Sequence, residues 1–260
     1  MPPHARMSLA QMLLLRALVA RFWKTPYRRP LVPWRTALHD RFMLPHYVWA
    51  DVRDVLAELD DAGYAFRPEW LAPFFEFRFP LYGRVAYDGV EIELRMALEP
   101  WLVLGEETTA QRQARVVDSS VERLQVLCRG FDAERYVVAC NGRRVPLRPT
   151  GADGTCVAGV RYKAWPAPLG RHPTIPVQTP LVFDLYDRRV GRSIGGCVYH
   201  ATHPGGLAYG AFPVNAYEAE SRRISRFWPS GHSATFDEPP PERPNPDFPC
   251  TLDLRRRART

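Results

Sequence analysis

What most constrains this chain is a change of period near residue 76. Upstream, apolar side chains recur every three to four positions: Leu9, Met12, Leu13, Ala17 and Ala20 in one run, then Val48, Val52, Val55, Leu56 and Leu59 in another. That spacing lays an apolar stripe along a helix. Downstream, from "FEFRFPLYGRVAYDGVEIELRMAL", apolar and polar residues alternate, which sends successive side chains to opposite faces of a strand. Helices first and strands afterwards predict an α+β fold, N-terminal helices with an antiparallel sheet followed by a mainly β, sandwich-like module.

Punctuation sets the boundaries. Ser8 is placed to cap a first helix that runs to about Trp23, before Pro26 stops it. Pro45 suits the first turn of a second helix ending near Ala62, with Gly63 as its C-cap. "LYG" and "YDG" read as turns between strands, Asn141-Gly142 as a two-residue hairpin, and Asp187 to Gly191 as a further turn. Three segments are expected: an α+β segment over 1–110, the sandwich-like module over 111–228, and an extended, poorly packed Pro- and Arg-rich tail over 229–260. The module, taken as Arg115 to Gly206, is expected to fold by itself.

Composition narrows the function classes. The net charge of +7 rests almost wholly on arginine, since Lys24 and Lys163 are the only lysines, and the arginines are scattered rather than clustered. A nucleic-acid partner is therefore not expected. The apolar run Leu9 to Trp23 is interrupted by Gln11, Arg16 and Arg21, too short and too charged to cross a bilayer, so no membrane partner is expected either. Five cysteines, an odd number without a CxxC spacing, argue against a disulfide framework and fit a reducing cytoplasm.

Three constellations carry polar chemistry. In "YDGVEIELRMALEPWLVLGEE", Val90, Ile92 and Leu94 would enter a core while Glu91, Glu93 and Arg95 share the opposite face, which is either solvent or a site. "ALHDRFMLPHY" gathers His39, Asp40, Arg41 and His46 before a helix, either to meet an anionic ligand or to hydrogen-bond the backbone. In "GGCVYHATHPGG", strand alternation separates Cys197 from His200 and His200 from His203. The histidines read as strand-end residues held by backbone carbonyls rather than zinc ligands. Neither a P-loop nor a dinucleotide fingerprint is present.

The runs "MPPHARMSLAQ", "LHDRFMLPH", "FRFPLYG", "ELRMALEPWLVLGEE", "CNGRRVPL", "GVRYKAWPAPLGRHPTIPV" and "GGCVYHATHPGG" together resemble the C-terminal part of large bacterial amidoligase-like proteins of the glutamine synthetase-like superfamily. In those proteins a transglutaminase-like domain precedes the ligase region. The resemblance covers about Met1 to Arg256. It implies an ATP-dependent carboxylate–amine ligase that uses ATP and Mg2+ and acts on a peptide or amino-acid substrate. It further implies that Met1 is an internal position, with Phe-Glu before it in the family, and that this chain is a fragment inactive without the upstream ligase and transglutaminase-like domains.

Such chemistry needs carboxylates to hold Mg2+ and arginines to neutralise a transferring phosphoryl group. By resemblance, Glu93 and Arg95 are the candidate catalytic pair, with Glu93 the candidate metal ligand. His4, Arg6, His39, Asp40, Arg41, Arg78 and Glu99 are candidate substrate- or phosphate-binding residues. The alternative is a non-catalytic β-sandwich interaction module that binds a protein or peptide partner.

Overall fold

The computed structural model describes residues 4–108, 113–166, 170–172, 174–230, 232 and 237–257. Helix α1 spans Ala5–Lys24, α2 Thr36–His39, α3 Pro45–Asp61 and α4 Ala72–Arg78. Strands follow: β1 Leu81–Tyr87, β2 Val90–Ala97, β3 Leu102–Thr108, β4 Gln113–Asp118, β5 Val121–Arg129, β6 Tyr136–Cys140, β7 Arg143–Arg144 and β8 Arg148–Pro149. After them come β9 Cys156–Lys163, β10 Leu181–Asp187, β11 Arg192–Tyr199, α5 Ala216–Ile224, β12 Phe227–Trp228 and β13 Thr251–Asp253.

The local signals act much as their chemistry dictates. Asp88 (φ 48°) with Gly89 (φ 81°) and Asn141 (φ 49°) with Gly142 (φ 75°) form the left-handed pairs that tight hairpins require, joining β1 to β2 and β6 to β7. Two readings change. Helix α1 starts before Ser8, because the ring Nδ1 of His4 accepts the Arg6 amide at 3.1 Å and caps it instead. "LYG" lies within β1, where the register shifts between Leu81 and Gly83, a bulge rather than a turn.

Two sheets face each other. One runs β1-β2-β5-β9-β13, with β8 also beside β9; the other runs β12-β11-β10-β6-β7; β3 and β4 form a separate ribbon. Ile92, Leu94, Leu124, Val126 and Val160 from the first sheet meet Val138, Phe183, Leu185, Cys197 and Tyr199 from the second in one buried cluster. Each such side chain contributes about 1.5–3 kcal/mol by leaving water, so this interior dominates the stability of the fold.

The sandwich draws strands from all three expected segments. Strand β2 pairs with β5 across residue 110, and β13, from the tail, pairs parallel to β9. The tail is also packed: Cys250, Leu252 and Leu254 are buried. The helices then lie over the outer face of the first sheet, where Leu44 joins Ala97, Leu127, Val157 and Cys250 in a second cluster. Helix α1 packs Ala10 and Leu14 against Leu56, Trp49 and Leu71, but leaves Leu9, Met12, Val19, Phe22 and Trp23 exposed.

At the end of β4, the buried Asp118 carboxylate accepts Ser120 N (3.0 Å), Ser120 Oγ (2.5 Å) and His172 N (2.9 Å), fastening the loop before β10 to the sheet. Burial opposes its charge, but these bonds outweigh burial and hold its pKa at about 2. A depressed carboxyl stabilises the fold above its unfolded value of about 3.9, and that stabilisation is lost as pH falls toward the folded value. Wild-type melting temperature should therefore fall between about pH 4 and pH 2 more steeply than that of Asp118→Asn. Parallel slopes in pH-resolved thermal melts would refute this role. The isolated segment Arg115 to Gly206, deprived of β2 and β13, should give collapsed, poorly dispersed amide spectra; dispersed peaks would restore the independent module.

Candidate functional site

Alternation in β2, β5 and β9 turns one set of side chains into the sandwich and the other toward the helices. Register aligns the outward set into rows: Arg95 lies beside Gln125, which lies beside Gly159 and then Thr251, while Ala97, Arg123, Arg161 and Asp253 form the next row. Charged groups on this face are thus brought together by strand pairing and covered by chain from residues 36–79.

The first network surrounds Glu93. Its Oε2 accepts Arg84 Nε at 2.8 Å and its Oε1 accepts Arg95 Nε at 3.2 Å, while Arg129 Nη1 lies 3.5 Å from Oε2 and also bonds Glu91. Arg95 continues through Nη1 to Glu76 Oε2 (2.8 Å) and the Phe79 carbonyl (2.7 Å), and its guanidinium lies 5.2 Å from the Phe75 ring centroid. Burial raises the cost of charging Glu93, but the bonds from Arg84 and Arg95 outweigh it, so its carboxyl sits below the usual range. Three guanidinium groups thus meet three carboxylates, and the network is electrically closed.

The second network centres on Arg123, whose side chain is fully enclosed. Its Nη1 donates to the carbonyls of Asp40 (2.7 Å) and His39 (3.2 Å), and its Nη2 donates to Thr251 Oγ1 (2.5 Å). Asp40 in turn accepts Thr251 Oγ1 at 2.6 Å and Cys250 N at 3.1 Å. A Cβ on Gly159 would collide with the Arg123 guanidinium, so glycine there lets the side chain lie flat on the strand. Burial, with the neighbouring Arg161, lowers the Arg123 pKa to about 10, which leaves it charged at neutral pH. Arg161 Nε bonds Glu99 at 2.9 Å, and Arg255 bridges Glu99 (3.2 Å) and Asp253 (2.8 Å). Burial outweighs Arg161, Arg255 and Arg123 at Glu99 and raises its pKa. With Arg256 Nε also 3.5 Å from Asp253, four guanidinium groups here meet three carboxylates.

The expected site residues therefore divide. Glu93 joins Arg95, and Asp40, the His39 carbonyl and Glu99 are joined through Arg123 and Arg161. His4 caps α1, the His39 side chain is exposed, and Arg41 stacks over Phe42 at 4.8 Å. Exposed Arg78 borders an apolar groove of about 340 Å3 lined by Trp49, Phe74, Phe75 and Phe79. Arg6 lies exposed in the first turn of α1. Among the described residues, none of His4, Arg6, Arg41 and Arg78 bonds to either network. Sequence reasoning missed Arg84, Arg123, Arg161 and Arg255; the alternation of Arg123, Gln125 and Arg129 along one strand was the available signal.

Other polar groups are less suited to chemistry. Both Glu93 oxygens are already taken by guanidinium groups, and among the described residues no group of three or more His, Cys, Asp or Glu could hold a metal. His200 packs on Trp228 (4.4 Å between centroids) with a buried, unbonded Nε2, and His203 Nδ1 accepts the Gly205 amide at 3.0 Å, so neither ring is held by a carbonyl as expected. Ser193 Oγ donates to Asp184 at 3.0 Å and faces His232 Nδ1 at 3.1 Å. The same ring nitrogen faces both partners, so the imidazole does not stand between hydroxyl and carboxylate as a relay requires.

No helix among the described residues is long and apolar enough to cross a membrane. No curated protein and no solved structure matches the chain. A family model does, over residues 1–255, and its description reads "Putative amidoligase enzyme (DUF2126)". Because the match takes in nearly every residue, the chain belongs to this amidoligase family.

Proposed function

We propose that this chain is the C-terminal part of a bacterial, cytoplasmic, ATP-dependent carboxylate–amine ligase, preceded in its polypeptide by further ligase sheet and a transglutaminase-like domain. The family match over residues 1–255 is the observation that carries the reading. In the proposed reaction a substrate carboxylate attacks the terminal phosphorus of ATP, ADP leaves, and an acyl phosphate forms. An amine, of an amino acid or peptide, then attacks the acyl carbon; phosphate departs and the nitrogen loses a proton. The apolar side chains that α1 leaves exposed, such as Phe22 and Trp23, are consistent with packing against such an upstream segment. The sandwich closed around its own interior favours the second reading, a self-contained interaction module.

The residues present do not fit a Mg2+ ion at Glu93, since a cation there would have to displace Arg84 and Arg95 from the carboxylate. Glu93 and Arg95 instead position the α4–β2 junction, with Arg95 holding Glu76 and the Phe79 carbonyl against the sheet.

The experiment measures ADP release with ATP, a carboxylic acid and an amine. The polypeptide extended upstream should release ADP only when acid and amine are both supplied, and the 260-residue chain should not. Silence from the extended polypeptide across amino-acid and peptide substrates would sink the ligase reading; acid- and amine-dependent release by the chain alone would sink the fragment reading. Arg95→Ala should cost about 1.5–3 kcal/mol of stability, the worth of charge-assisted bonds, while ATP KM stays within about twofold. A large rise in ATP KM at unchanged melting temperature would return Arg95 to the catalytic cleft.

A further inference from the structure

The proline-rich segment after residue 237 forms the outer wall of a cleft. Successive prolines hold such a chain extended and remove its amide donors, so side chains must pin it. Arg143 grips Glu242 through two bonds, one of them 2.6 Å, and also donates to the carbonyls of Asp253 (2.9 Å) and Arg256 (2.7 Å). Arg144 and Arg188 both reach Glu238, and Arg148 Nε donates to the Pro249 carbonyl at 3.1 Å. Between this strap and the β6–β7 hairpin lies a cleft of about 340 Å3.

Its walls combine two characters. Val138, Val145, Leu147 and Leu252 supply apolar surface. Around them stand the strap-holding arginines Arg143, Arg144 and Arg188, and also Arg148, Arg243, Arg256 and Arg257. Only Glu242 and Asp253 among the lining residues are acidic, and Glu238 neutralises one charge more from outside. Arg148, Arg243 and Arg257 have no carboxylate within ion-pair distance among the described residues. Arg144 Nε is buried with no hydrogen-bond partner. A concave surface with several uncompensated guanidinium groups concentrates anions, and the planar fork matches phosphate and carboxylate oxygens two at a time.

We propose that this cleft binds a small molecule bearing two or more phosphate or carboxylate groups, with its carbon body against the Val145–Leu147 side. The inference is independent of ligase activity, because binding is read without turnover.

Calorimetric titration of the full chain at near-physiological salt, with pyrophosphate in one arm and citrate in the other, tests it. At least one probe should bind saturably at one site, and the tighter of the two identifies phosphate or carboxylate as the preferred group. Arg148→Ala/Arg243→Ala/Arg257→Ala removes exposed, ion-unpaired groups at the loss of one strap bond, from Arg148 to the Pro249 carbonyl, and should melt within a few degrees of wild type while binding at least about tenfold more weakly. Arg28→Ala/Arg29→Ala/Arg192→Ala, which removes three exposed arginines outside the cleft, should bind like wild type. Absence of saturable binding by either probe would overturn the site, as would equal weakening in the two triple variants, since that would reflect net charge alone.

Discussion

The contact between Asp40 and the Cys250–Thr251 backbone and hydroxyl, with Arg123 beneath it, is the joint on which the rest of the structure depends. It fastens the loop before α3 to the last strand, and through Arg123 it fastens both to the middle of the first sheet. A buried guanidinium is costly to desolvate, and it persists here because carbonyls of His39 and Asp40 and the Thr251 hydroxyl replace its water. Removing any partner would leave a charge in the interior. The loop before α3, the first sheet and the last strand are therefore tied together at one buried point.

The same pairing of carboxylate with guanidinium extends across this face of the first sheet. A reacting carboxylate or a metal ligand needs an open coordination position, and the carboxylates on this face spend theirs on arginines. Arg84 and Arg129 are half exposed, but they lean on Glu93 and Glu91. Charge at the surface of the C-terminal strap is different, because arginines there outnumber acids and three of them have no carboxylate within ion-pair distance among the described residues. Within one arginine-rich chain, guanidinium groups thus serve two purposes: cementing a sheet to its helical cover, and leaving positive potential where a ligand has room.

Much of the fold was legible because local rules govern it. The helical stripe of α3, the Asp88-Gly89 and Asn141-Gly142 hairpins and the inward set Val90, Ile92 and Leu94 follow from periods and turn chemistry alone. What was not legible is non-local. Nothing in residues 90–97 announces that they pair with residues 121–129, and a three-residue strand in a proline-rich tail has no periodicity to read. Glu93 and Arg95 were read correctly as facing away from the core, yet the cover over them comes from α4, whose return to the sheet no spacing reveals. His4 as a cap was hidden for another reason: a histidine ring is an unusual substitute for the short side chains that ordinarily fill that role.

The parallel pairing of β13 with β9 has a temporal meaning. Thr251 to Asp253 come last of all the strands, and the bond from the Cys250 amide to Asp40 spans 210 positions. A ribosome delivers residues in order, so the Asp40 carboxylate and Arg123 Nη2 wait for Cys250 and Thr251, although the carbonyls that accept Arg123 Nη1 come first. Until Thr251 clears the exit tunnel, β9 lacks its parallel neighbour and Arg123 lacks one of its three partners, a state open to chaperones and to other nascent chains. The joint therefore closes late relative to the elements it fastens, and pauses in the message before Thr251 would prolong the most vulnerable interval.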